Sequence, residues 1–148
     1  MVKGRRFAWV GAAVAAAALA AGVAHAVVVR GRGELQARGS GFAVLALRGG
    51  VAASGIGLAV VEEAKMVELS GQGRVTPLGD GRVLLEGFGS VAVRSLDEPT
   101  RVELAGARLR LRARGAGVIT LRGVGHYTTE DGSGYWGRDL SIELEPAE

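Results

Sequence analysis

The chain has 148 residues, 25 of them glycine and 3 proline, with no cysteine and no asparagine. It therefore has no disulfide framework and no thiolate metal site, and glycine must supply nearly every positive-φ position. The formal charge of +3 comes from Lys3, Arg5 and Arg6, so basic and acidic residues balance over the rest and no global field steers the chain toward nucleic acid.

Residues 1–6 are short and basic, 7–29 carry no formal charge and are rich in alanine, and 24–26 read Ala-His-Ala. A basic start, an apolar run and a small-x-small site form the layout of a secretory signal peptide. The rival is a membrane-anchoring helix, since about 20 apolar residues span a bilayer. Alanine inserts weakly, which favours cleavage. Val27 and Val29 also open the strand pattern that follows. Residues 1–26 are thus expected to be a signal peptide or membrane anchor, and 27–148 a glycine-rich β domain. Membrane contact is confined to 7–29 if the segment is kept. Arg5-Arg6 before Phe7 has the paired arginines of a twin-arginine signal but not its flanks. The expected localisation is exported, periplasmic or extracellular, with membrane anchorage as the alternative.

From Val27 the chain falls into octads of the form apolar-x-apolar-x-Gly-x-Gly-x. Val27, Leu35, Ala43, Val51, Ala59, Val67, Val75, Val83 and Val91 hold position one. Most fifth and seventh positions are glycine, as in Gly39 and Gly41, Gly55 and Gly57, Gly71 and Gly73, Gly87 and Gly89. Period-two alternation is the strand signal, and a strand punctuated every eight residues is a repeat pattern. The apolar parity stays odd from Val27 to Glu98, whereas two-residue hairpins would reverse it from strand to strand, though three-residue hairpin loops would keep it. The pattern predicts an all-β fold, a short β-solenoid of octads, with an antiparallel sandwich or small barrel as the alternative.

Glu63 and Lys65 stand where glycines are expected, which predicts an interruption. Pro77 lacks an amide hydrogen, so its strand belongs at an edge or is distorted. Residues 99–110 shift the octad phase, with even parity over 101–104 and odd parity again from Leu109. Asp131-Gly132-Ser133-Gly134 is a turn signal. The even face turns apolar at Val44, Ile56, Leu58 and Val60, to be covered by a loop or by a second copy.

The units 69–75 (Leu-Ser-Gly-Gln-Gly-Arg-Val), 85–91 (Leu-Glu-Gly-Phe-Gly-Ser-Val) and 113–119 (Ala-Arg-Gly-Ala-Gly-Val-Ile) resemble the apolar-x-Gly-x-Gly-x-apolar units of GIN domains, adhesin-head domains of exported bacterial proteins. The layout is also similar to that of small exported glycine-rich proteins of high-GC bacteria. The resemblance implies a β-helical fold at the cell envelope and brings no catalytic residues.

Arg108, Arg110, Arg112 and Arg114 alternate with Leu109, Leu111 and Ala113 and are read as one face of a strand. They are the candidate ligand-binding residues, a ladder for an anionic envelope component. The competing reading pairs them with Asp139, Glu143 and Glu145 across strands. Residues 132–137 match the letters G-x-G-x-x-G but precede a strand instead of opening a helix, which removes the dinucleotide reading. His126 is predicted to be an exposed bystander. Tyr135 and Trp136 form either a sugar-stacking patch or a cap on the core. The doublets Glu62-Glu63 and Asp97-Glu98 point to opposite faces and make no acid–base pair. No catalytic constellation, cofactor or metal site is expected. The expected function is that of a non-catalytic, exported or anchored cell-envelope module, structural or self-associating. The alternative is a binding protein for an anionic envelope ligand through the arginine ladder.

Overall fold

The computed structural model describes residues 27–147, so the signal-peptide and anchor expectations fall outside the described residues. Those described form five strands and one 3-10 turn: β1 (Val27–Arg32), β2 (Glu34–Glu62), the turn Glu63–Lys65, β3 (Met66–Pro77), β4 (Arg82–Thr129) and β5 (Gly132–Glu145). The fold is all-β. The 3-10 turn falls where Glu63 and Lys65 replace the octad glycines. Among the described residues no helix is long and apolar enough to cross a membrane.

β2 has 29 residues and β4 has 48. At about 3.3 Å per residue, a straight strand of β4's length would reach roughly 160 Å, far beyond a small domain, so both must bend. Their pairing shows how. Arg110 of β4 faces Arg38 on one edge and Ser54 on the other, both in antiparallel register. Arg38 and Ser54 belong to the same strand and lie sixteen residues apart. The antiparallel ribbon of β2 and β4 therefore returns to its own edge after two octads. Because sixteen is even, the same parity faces inward on every pass.

Laid out by pairing, the legs of the sheet follow the order 27–32, 132–145, 116–129, 34–48, 100–114, 49–62, 82–95 and 66–77. Only β1 and β5 pair in parallel. Stacked solenoid coils would pair in parallel throughout, whereas the long ladders here are antiparallel. The sheet stays open, with β1 and β3 at its two edges, and does not close into the small barrel held as an alternative.

Glycine makes the bend. Gly137, Gly123, Gly41, Gly106, Gly57, Gly87 and Gly73 are successive partners across seven adjacent legs. A Cβ at Gly41, whose φ is 140°, would run into the carbonyl of Arg122 and the Cα of Gly123. The legs approach too closely along this line for any side chain, and the sheet folds over there. The inner side chains on both flanks of the crease form one cluster, including Leu35, Leu111 and Ala113 on one side and Leu45, Leu47, Leu121 and Ile142 on the other. With no helical layer among the described residues, the sheet covers its own inner face.

The phase shift over 99–110 has two local causes. Leu47 pairs with Thr100 and Gly49 with Ser95, so residues 96–99 drop out of the ladder. A bulge at Arg108, with φ of 53°, then restores odd parity. Thr100, Val102 and Leu104 are buried before the bulge, and Leu109, Leu111 and Ala113 after it. A two-residue turn at Glu130 and Asp131 leads into β5 and reverses parity again, burying Trp136, Leu140, Ile142 and Leu144. On the outer face, Leu78 and Leu58 pack against Val60 and Leu84. The apolar even face is thus covered in part by the loop after β3, and Ile56 stays exposed.

Candidate functional site

The leg 100–114 lies between 34–48 and 49–62, so its outward side chains look across two neighbours. Arg110, Arg112 and Arg114 alternate on this outer face and are exposed. Arg108 does not continue the row. It occupies the bulge, and its backbone N–H donates to Ser40 Oγ at 3.3 Å. The four-residue ladder read from the sequence is therefore three residues long, because the bulge breaks the alternation.

The acidic partners also differ from those expected. Glu143 approaches Arg30 at 3.5 Å, with no contact to the ladder. Glu34 takes that place, 2.7 Å from Arg114 Nε and 3.5 Å from Arg112 Nε. It sits directly opposite Arg114 in the register. Burial pushes the Glu34 carboxyl up, but hydrogen bonds from Arg114 and Gln36 and the charges of Arg114 and Arg112 hold it below the usual carboxylate range. A carboxylate with a lowered folded-state value adds stability above its unfolded value, near pH 4, and that stability is lost as pH falls through the folded value. Acid titration of stability followed by circular dichroism should show a shallower decline below about pH 4 in Glu34→Gln than in the parent.

Arg110 faces a different neighbour. The residue opposite it is Arg38, and beyond Arg38 on the next leg is His126, which in turn faces Tyr135. Among the described residues, Arg38 and Arg110 enter no side-chain ion pair within 4.0 Å. Like charges directly opposite on a sheet are destabilising. On the other side of Arg110 come Ser54, Ser90 and Ser70, whose outer positions lie in one row. The Ser70 and Ser90 hydroxyls are 2.7 Å apart.

The outer face is hollow here because its middle residues are small. Ala52 faces Ala92, and Ser54 faces Ser90. The resulting basin, about 370 Å³, is lined by Arg38, Arg110, Arg112, Gln36, Ser54 and Ser90, and also by one carboxylate, that of Glu68. It joins two unneutralised guanidinium groups, a third shared with Glu34, an amide and two hydroxyls. Guanidinium groups bind carboxylate and phosphate with paired, charge-assisted hydrogen bonds. Sequence reasoning found Arg110 and Arg112 but missed Arg38, which is far away in the chain. Its outward parity beside Gly39 was the available signal.

His126 is exposed and outward, as expected, and its backbone carbonyl accepts the Trp136 indole N–H at 3.1 Å. Trp136 is buried, while Tyr135 is exposed, so the pair divides between a core residue and a surface ring. Glu62 accepts a hydrogen bond from Thr100 at 2.9 Å, and Glu98 lies 3.3 Å from Lys65. The doublets thus serve separate structural contacts. Among the described residues, no group of three or more His, Asp or Glu side chains gathers to hold a metal. Comparison with protein-family models, with curated proteins and with solved structures finds no match to this chain. The resemblance to GIN domains rests on the glycine-punctuated units alone.

Proposed function

We propose that the chain is a non-catalytic binding module of the cell envelope, exported or anchored through its N-terminal segment, and that the basin takes up anionic groups of an envelope polymer such as phosphodiesters. The observation that carries this reading is the apposition of Arg38 and Arg110 without an acidic partner, above a floor of alanine and serine. An isolated sheet is destabilised by facing like charges, whereas an anion between them would turn repulsion into two charge-assisted contacts. The basic, apolar and small-x-small order of residues 1–26 supports the envelope setting. The ligand class is an extended anion, because the donors of the basin are spread over four legs.

The test is binding of the full-length protein to a phosphodiester polymer at several salt concentrations. Replacing Arg38 and Arg110 together with serine should weaken binding roughly a hundredfold, the cost of two charge-assisted contacts of ~1.5 kcal/mol each, and should flatten its salt dependence. The same double variant should unfold at equal or higher denaturant than the parent, because it removes a repulsive pair worth up to ~1 kcal/mol. Unchanged binding with an intact fold would reject the basin as the site.

A further inference from the structure

The inward-facing residues in the middle of β3 break the pattern of the rest of the sheet. Leu69 and Val75 are 46% and 51% exposed, whereas Leu45, Val61 and Val83, which occupy the same octad positions elsewhere, are 0–1% exposed. Among the described residues, β3 pairs with β4 on one edge and with nothing on the other. Beside it lies an apolar cavity of about 270 Å³, lined among others by Leu69, Val75, Leu85, Val91, Leu104 and Leu109. An edge strand of 12 residues is a template for pairing. The opposite edge, β1, has only 6 residues and carries Arg30 and Arg32. β3 carries just Glu68 and Arg74, with its proline at the very end.

We propose that β3 pairs antiparallel with β3 of a second copy across a twofold axis at Gln72, joining two sheets into one. The register follows from the existing edge. There, β4 sets glycine against glycine (Gly71 to Gly89, Gly73 to Gly87) and apolar against apolar (Leu69 to Val91, Val75 to Leu85). A twofold pair centred on Gln72 repeats that order. Gly71 meets Gly73 of the second copy, and Leu69 meets its Val75. The crease then runs unbroken through both molecules, and the exposed apolar residues of both strands are covered. The only two charged residues of the strand have opposite signs. In this register Glu68 lies diagonal to Arg74 of the second copy, and no like charges face each other. Glu68 is the one β3 residue that also lines the basin, whereas Gln72 and Val75, the positions varied below, do not, so the pairing is tested separately from anion binding.

The chain contains no cysteine, so one introduced thiol reports a single contact. Gln72→Cys in the full-length protein places two thiols at the axis, where facing Cβ atoms are about 4.5–5.5 Å apart. Oxidation, or bridging with a short bis-thiol reagent, should give at least tenfold more covalent dimer than Thr128→Cys, which lies on a distant leg. Adding Val75→Lys to Gln72→Cys should return the yield to the Thr128→Cys level. Val75 is half-exposed, and circular dichroism of the variant checks that the fold is retained. Equal yields at positions 72 and 128, a yield insensitive to Val75→Lys, or adducts of Gln72→Cys with another protein would each overturn the pairing.

Discussion

Gly49→Ala should cost roughly 3 kcal/mol or more, while Gly50→Ala, one residue later, should change stability by less than about 0.5 kcal/mol. Gly49 has φ of 142° and faces Gly115; a Cβ there would collide with the carbonyl of Arg114. The cost combines a backbone region that only glycine occupies readily, ~1–3 kcal/mol, with displacement of a neighbouring leg. Gly50 has no positive φ, and its nearest neighbour to an added Cβ is the Val93 carbonyl at 4.0 Å. Urea melts of the two variants measure the difference. Near-equal midpoints would mean that the glycines are a compositional habit and not the hinge of the sheet.

Trp136→Ala should cost about 3–5 kcal/mol, the range for a large buried aromatic side chain. The indole fills the space above Gly39 and Gly125, where added Cβ atoms would lie 3.1 and 2.9 Å from its ring. Its N–H satisfies the His126 carbonyl. Removal leaves both a cavity and an unpaired acceptor. Trp136→Phe should recover most of the packing and lose only the hydrogen bond, ~1 kcal/mol. Thermal unfolding of the pair separates these contributions.

These two sites mark how far the sequence could be read. Odd parity through the octads identified Leu35, Leu45, Val51 and Val93 as inward, and all four are buried. Glu63-Lys65, Pro77 and 99–110 were legible as interruptions, because each breaks a local rule of spacing or backbone chemistry. The direction of pairing was not legible. A parallel coil and a wound antiparallel ribbon both repeat after an even number of residues with glycine at the corners, so parity alone does not separate them. The crease follows only when Gly41 is seen between Gly123 and Gly106, partners more than sixty residues away in the chain. The arginine row was legible as alternation, but the bulge that removes Arg108 is a tertiary feature. Arg38 joined the site through winding, which no short-range pattern encodes. Glu34 became the ladder's partner for the same reason, since it reaches Arg114 across 80 residues of chain.

The most direct test of the basin is a phosphodiester oligomer titrated into the labelled protein, with the arginine side-chain Nε–H and serine backbone amide signals followed by NMR. Perturbations concentrated at Arg38, Arg110, Arg112, Ser54 and Ser90, with Arg74, Arg94 and Arg122 unmoved, are the predicted result. Shifts spread evenly over all the arginines would contradict it, because they would show an anion attracted by surface charge without a site.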